Sequence, residues 1–227
     1  MFLGHFGVAF AAKRVAPGAS LGTLFAAAQL PDLLWPVFLA AGWERVVIAP
    51  GDTAVTPLRF ESYPFSHSLI AMALWGAALG GAYVATRSDR RGALVLAALV
   101  LSHWFLDWAV HRPDMPLWPG DSPRFGLGIW GSRGLTLAAE GLVFTLGLSL
   151  YARGTRPRDR SGRWGLLLLG AILVLFYAGA FLGPPPPSVP AVVVAGLLGG
   201  VLLIVLAAWV DRHRAPSAGT LRGREKP

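Results

Sequence analysis

A chain of 227 residues that is 54% hydrophobic and only 14% charged is not composed like a soluble domain, where roughly 25% of residues are charged. A net charge of +8 raises nucleic acid as a partner, but the basic residues lie between apolar runs and in the tail, as membrane topology requires, so no nucleic-acid partner is expected. With no cysteine, a disulfide framework and a thiolate metal site are both excluded.

Several runs of about 18–22 nearly uncharged residues predict membrane-crossing helices. They are continuous rather than alternating, which separates them from the short strands of a membrane β-barrel. The first apolar run, residues 1–12, is too short to span and has no basic leader before it. It reads as a retained short helix packed against a bundle, with His5 inside it. Residues 20–42 form an apolar helix interrupted at Pro31-Asp32 and Pro36, since proline removes a backbone donor and disturbs the preceding turn. Residues 43–64 contain Pro50-Gly51, Pro57 and Pro64 and read as a loop.

Spans are expected over 65–86, with His67-Ser68 in its first turn, and over 92–111, separated by a charged turn at 87–91. Residues 112–133, rich in Pro, Gly and Trp, read as an ordered cap. A further span over 134–151 carries Glu140, and a basic loop over 153–163 follows. Spans over 164–182 and 189–210 hold no ionisable residue, and their small residues, Ala195-Gly196 and Gly199-Gly200, permit close helix packing. The expected fold is all-α: a polytopic helical membrane protein of about six membrane-embedded helices plus a short N-terminal helix. Its parts are a helical core at 1–152 holding the candidate site, a basic loop at 153–163, a two-helix hairpin at 164–210 and a basic, disordered tail at 211–227, to which His213 belongs.

Lys13, Arg14, the 87–91 turn, the 153–163 loop and the tail hold 15 of the 20 basic residues. The loops 43–64 and 112–133 hold the other five together with Glu44, Asp52, Glu61, Asp114 and Asp121. The positive-inside rule therefore places the first set, including the C-terminal tail, in the cytoplasm and the second set outside a bacterial inner membrane.

Within the spans, His103, Asp107 and His111 stand at i, i+4 and i+8, close to one helical stripe. Ionisable groups at membrane depth are costly and by default mark function. At ~1.5 Å per helical residue, His103 lies about 12 Å below His111, and Glu140 enters about two turns from the same side. His67 begins a span there and Asp32 sits in the interrupted helix, so these residues can meet in the outer half of the bundle.

His5, Asp32, His67, His103, Asp107 and Glu140 are therefore candidate metal ligands, with His111 as a candidate outer residue that orients a ligand or gates the site. Imidazole plus carboxylate suits zinc in the first place, with iron or manganese as alternatives, and one or two ions. Each residue also has a structural alternative. Asp32 can cap the restarted helix, and His103 with Asp107 can form an ion pair between helices. Trp104, Trp108, Trp118 and Trp130 read as an interfacial aromatic belt.

Gly4-His5, Leu30-Pro31-Asp32, Ser66-His67-Ser68, Ser102-His103 with Asp107, Leu117-Trp118-Pro119 and Glu140 follow one another in an order that resembles the membrane-bound predicted metal-dependent hydrolases, relatives of the LexA-binding inner-membrane-associated hydrolase. The resemblance covers about residues 1–150. A more distant likeness is to the ligand pattern of zinc-dependent phospholipase C and the P1-type nucleases, whose paired His and Asp on one helix are matched by His103 and Asp107. Thr136 stands where their later histidine would precede Glu140, Leu34 replaces a second acid after Pro-Asp, and Tyr63-Pro64 replaces a His-Arg pair.

The resemblance implies hydrolysis of a phosphoester or other ester, with a membrane lipid as the natural substrate class. Asp32, His67, His103 and Asp107 would hold the metal, and Glu140 would complete the site or take a proton from water, with Asp107 also at the reacting centre. A metal- or proton-coupled transporter and a silent scaffold with a structural metal are the alternatives. The absence of an inverted repeat and the gathering of polar residues at one depth argue against the transporter.

Overall fold

The computed structural model describes residues 1–217. The fold is mostly helical (67%), and the strands among the described residues form three two-stranded pairs, in keeping with the continuous apolar runs. Among the described residues, five helices are long and apolar enough to cross a membrane: α5 (Leu69–Arg87), α6 (Arg90–Val110), α7 (Arg133–Gly154), α8 (Arg160–Leu182) and α9 (Val189–Arg212), numbered after the shorter α1–α4. A sixth candidate is the pair α2 (Leu21–Ala28) and α3 (Leu30–Ala40), which bend by 53° about Gln29. The break comes just ahead of Pro31, which sits in the first turn of α3 where its missing N–H costs nothing, while Pro36 is accommodated inside α3.

The long helices start on side-chain caps. Ser68, Asp89, Ser132, Asp159 and Ser188 each accept a hydrogen bond from a backbone N–H three residues on, as Ser20 does for α2.

Helix α1 (Leu3–Ala12) is apolar on every side, which a helix tolerates only when it is enclosed. Phe6 packs tilted and Phe10 edge-on against Phe25 of α2, and Phe10 also packs against Tyr151 of α7. On the other face α1 meets α7 backbone to backbone. A Cβ built on Gly147 would lie 1.9 Å from the Gly7 carbonyl oxygen, so only glycine allows this approach. That contact fixes the depth of α1 in the bundle, and with it the position of His5.

At one end of the bundle, β1 (Arg45–Ile48) and β2 (Leu58–Ser62) form an antiparallel hairpin, followed by the short α4 (Pro64–His67). A second pair, β3 (Met115–Pro116) and β4 (Arg124–Phe125), lies in the 112–133 segment. The two loops are tied together: Asp52 bridges Arg59 and Arg112 at 2.8 and 2.7 Å, and Arg133 donates to the Ala54 carbonyl. At the other end, Lys13, Tyr151 and the backbone of Leu21 converge on Asp211 of α9.

The expected disordered tail behaves differently where it is described. β6 (Arg214–Pro216) pairs with β5 (Thr155–Pro157), and Arg214 is buried, donating to Thr155 and to the Gly162 carbonyl. His213 lies against Asp159 at 2.7 Å. The strand pairing satisfies the backbone, and the guanidinium bonds offset its burial, which composition alone does not reveal. The rest of the expected tail, 218–227, lies outside the described residues.

Candidate metal centre

Four elements deliver the ionisable side chains to one place near the hairpin end of the bundle. His5 comes from α1, Asp32 from the first turn of α3, His67 from the end of α4, and His103 and Asp107 from α6. Asp107 is the hub. His5 Nε2 lies 3.0 Å from its Oδ1, and the Met1 amino group also contacts Oδ1. His103, His67 and His111 approach Oδ2 with their Nε2 atoms at 3.2, 3.8 and 4.0 Å. Asp32 Oδ1 lies 3.4 Å from His67 Nε2 and 3.7 Å from His103 Nε2. The His5 and His103 rings stack in parallel, with centroids 3.6 Å apart.

The far nitrogen of each of these last three imidazoles decides its tautomer. His103 Nδ1 lies 2.7 Å from the Ala28 carbonyl oxygen, which can only accept, so Nδ1 carries a proton. Ser66 gives its hydroxyl proton to Glu44 Oε2 at 2.7 Å and must therefore accept from His67 Nδ1, 2.6 Å away. His111 Nδ1 is 3.0 Å from Asp114 Oδ1. Burial alone would raise the Asp114 carboxyl, but hydrogen bonds from His111, Tyr63 and Arg112 hold it below the usual range, so it is an ionised acceptor and His111 Nδ1 donates.

In the neutral tautomers that follow, three Nε2 lone pairs face carboxylate oxygens. Acceptors gather this closely only around positive charge: the Met1 ammonium meets Asp107 Oδ1, and the Oδ2 side calls for a proton or a metal ion. His103 Nε2 separates the two. It is fully buried and close to both carboxylates, yet it makes no hydrogen bond. Its direction suits a shared cation between the groups better than an N–H aimed at either oxygen. His5 Nδ1 is likewise buried without a hydrogen-bond partner.

Among the described residues, two triads have ligand atoms mutually within 4.8 Å and could hold a metal ion: His5, His103 and Asp107, and Asp32, His67 and His103. Five of the six sequence-derived ligand candidates therefore fall into the triads. Glu140 falls in neither. Its Oε2 accepts the backbone N–H groups of Phe2 (2.8 Å) and Gly4 (3.3 Å), so it anchors the N-terminal turn of α1, where a carboxylate is favoured by the helix dipole. His111 also lies outside both triads, with its Nε2 directed at Asp107.

A cavity of about 170 Å³ opens onto this cluster, lined by Asp32, His67, Asp107, His111 and Glu140 and by aromatic and small side chains. His5 and His103 sit behind it, 1% and 0% exposed, whereas the Asp32 side chain is 41% exposed and stands at the mouth.

A family model described as YdjM inner membrane protein matches residues 1–182. The chain belongs to this family. Neither a curated protein nor a solved structure matches it. With five to six candidate spans, this member of the YdjM family is an integral inner-membrane protein. The match runs beyond the residue-150 limit set by motif order and takes in the whole of α8.

Several residues at the site escape motif reading. Glu44 is buried as the acceptor for Ser66 and for the N–H groups of Phe65 and Ser66, yet in sequence it is one acid in a loop. Asp114 had a weak signal, three residues after His111. Trp130, read as part of an aromatic belt, instead packs on His111 with ring centroids 4.2 Å apart and lines the cavity. Tyr177 brings a hydroxyl to the cavity from α8, and its position within an otherwise apolar span was the available signal.

Proposed function

We propose that this chain is a metal-dependent membrane hydrolase acting on a phosphoester or another ester of a membrane-embedded substrate. The observation that carries the reading is His103 Nε2, buried without a hydrogen bond among two carboxylates and two further imidazoles. Asp32, His67, His103 and Asp107 would hold a divalent ion, zinc in the first place, with His5 beside them. An imidazole nitrogen bonds one ion and the two triads share His103, which favours a single ion over two. Such an ion supplies Lewis acidity toward water and toward a phosphoryl or carbonyl oxygen.

The chain's own residues orient, exclude water and move a proton. Ala28, Ser66–Glu44 and Asp114 lock the three imidazoles with Nε2 inward, the arrangement that raises ligand basicity and fixes ring direction. Trp35, Phe60 and Trp130 line the cavity and would limit the water around a bound substrate. In hydrolysis the water oxygen bonds to phosphorus or to the acyl carbon, and the bond to the leaving alkoxide breaks. One water proton passes to a carboxylate, for which Glu140 is proposed, and returns to the leaving oxygen. With the basic loops in the cytoplasm, the cavity would open toward the outer leaflet.

The test is hydrolysis of a panel of phospholipids and short-chain esters by purified protein. Activity should vanish with a chelator, return with Zn²⁺, and be lost in Glu140→Gln, which keeps an amide oxygen for the α1 backbone. Hydrolysis that persists undiminished in Glu140→Gln would remove that residue from the chemistry, and no hydrolysis of any ester would remove the enzyme reading.

A further inference from the structure

A second, larger cavity of about 480 Å³ adjoins the site, walled by α3, α8 and α9. Phe2, Asp32, Trp35, Thr56 and Ala180 line both cavities, so the two spaces adjoin beside Asp32. Beyond Asp32 its lining is almost wholly apolar or small, including Phe6, Leu33, Phe176, Ala195 and Leu203. Along α9 it runs from Ala191 to Leu203, about 18 Å of helix at ~1.5 Å per residue. Its volume lies within the range of small-molecule sites, ~300–1,000 Å³.

Two polar atoms of residues that line the site cavity lack partners, one of them on Trp35, which lines both cavities. Trp35 Nε1 and Tyr177 Oη are buried and make no hydrogen bond, and both residues, each 8% exposed, line the site cavity. A buried donor without an acceptor is costly in a folded protein and calls for an explanation. A polar ligand group in the site cavity would supply acceptors for them.

Resting on the hydrolase reading, we infer that the substrate is an acyl-chain lipid whose tail occupies the α3–α8–α9 cavity and whose ester group accepts hydrogen bonds from Trp35 and Tyr177 beside Asp32. A tail leaving the bilayer for this cavity exchanges one apolar environment for another, so the groove contributes register and selectivity rather than affinity. The affinity comes from the polar end, where the two donors and the metal triads converge.

Gly179 on α8 allows a clean block. It lines the groove, and a Cβ built there meets nothing within 4 Å, so Gly179→Leu fills the space without displacing protein atoms. The experiment uses full-length protein in nanodiscs containing phosphatidylglycerol with a diazirine at the end of one acyl chain, with photolabelled residues mapped by mass spectrometry. In the wild type, label is expected on Phe176, Ala195 and Gly199 as well as on the outward Leu198 and Leu202. Gly179→Leu should cut groove labelling at least about tenfold, the order by which a filled pocket rejects a misfit, and leave the outward label unchanged. Ala195→Leu is the second block and should do the same.

Wild-type label confined to outward residues, or groove label unchanged in both variants, would overturn the inference without any variant's folding being at issue. Labelling does not need turnover, so the two readings fail separately. Groove labelling without hydrolysis of any ester sinks the enzyme and keeps the lipid site. Ester hydrolysis with an unlabelled groove keeps the enzyme and sinks the site.

Discussion

His103 Nε2 lies 3.2 Å from Asp107 Oδ2 while its other ring nitrogen already donates to the Ala28 carbonyl. A lone pair directed at a carboxylate in a fully buried place is unfavourable by itself, so a positive charge must complete it. The predictions below follow from that relation and from what holds the two side chains in it.

Ser66 sets the direction of His67. Ser66→Ala removes the acceptor for His67 Nδ1 and the donor to Glu44 while leaving every proposed ligand in place. Metal affinity should fall about 10–100-fold, the usual effect of deleting a ligand's orienting partner. Competition with a chromophoric chelator measures this, and an unchanged affinity would show that the Ser66–Glu44 relay only caps α4.

Tyr177 tests the polar lining of the site cavity. Tyr177→Phe deletes one hydroxyl that has no partner in the protein. Stability should be unchanged or slightly raised, and metal content unchanged. Hydrolysis of phospholipid should drop roughly tenfold or more, since a hydrogen bond to a charged group is worth ~1.5–3 kcal/mol. Equal turnover by wild type and variant would remove Tyr177 from the site.

These two residues also show what the sequence makes legible. The spans, the break ahead of Pro31 and the meeting of His67, His103 and Asp107 follow from apolar run length, proline position and helical rise, which are local. Glu44 and Tyr177 reach the site through a β-hairpin and a helix whose placements depend on long-range packing. A lone acid in a loop and a lone hydroxyl in an apolar span carry no spacing to read. Glu140 illustrates the limit from the other side, because depth put it near the site but could not tell that its oxygen holds the first turn of α1.

Gly147 tests how the bundle sets the geometry. Gly147→Ala places a methyl 1.9 Å from the Gly7 carbonyl oxygen and must push α1 away from α7. The expected loss is about 1–3 kcal/mol, as for an overpacked core, accompanied by weaker metal binding as His5 moves. Gly81→Ala is the control, since a Cβ there meets nothing and alanine suits a helix better by up to about 1 kcal/mol. Thermal unfolding in detergent compares them, and equal midpoints would refute the close contact.

The metal content of detergent-purified protein tests the central claim most directly. Elemental analysis should find about one divalent ion per chain in the wild type, as in a mononuclear site. The ion should be lost in His103→Ala and in Asp107→Ala and kept in His111→Ala, whose side chain lies outside both triads. A wild-type protein with no stoichiometric metal, folded and purified without chelators, would contradict the account and leave the cluster as a proton-bridged set of ion pairs.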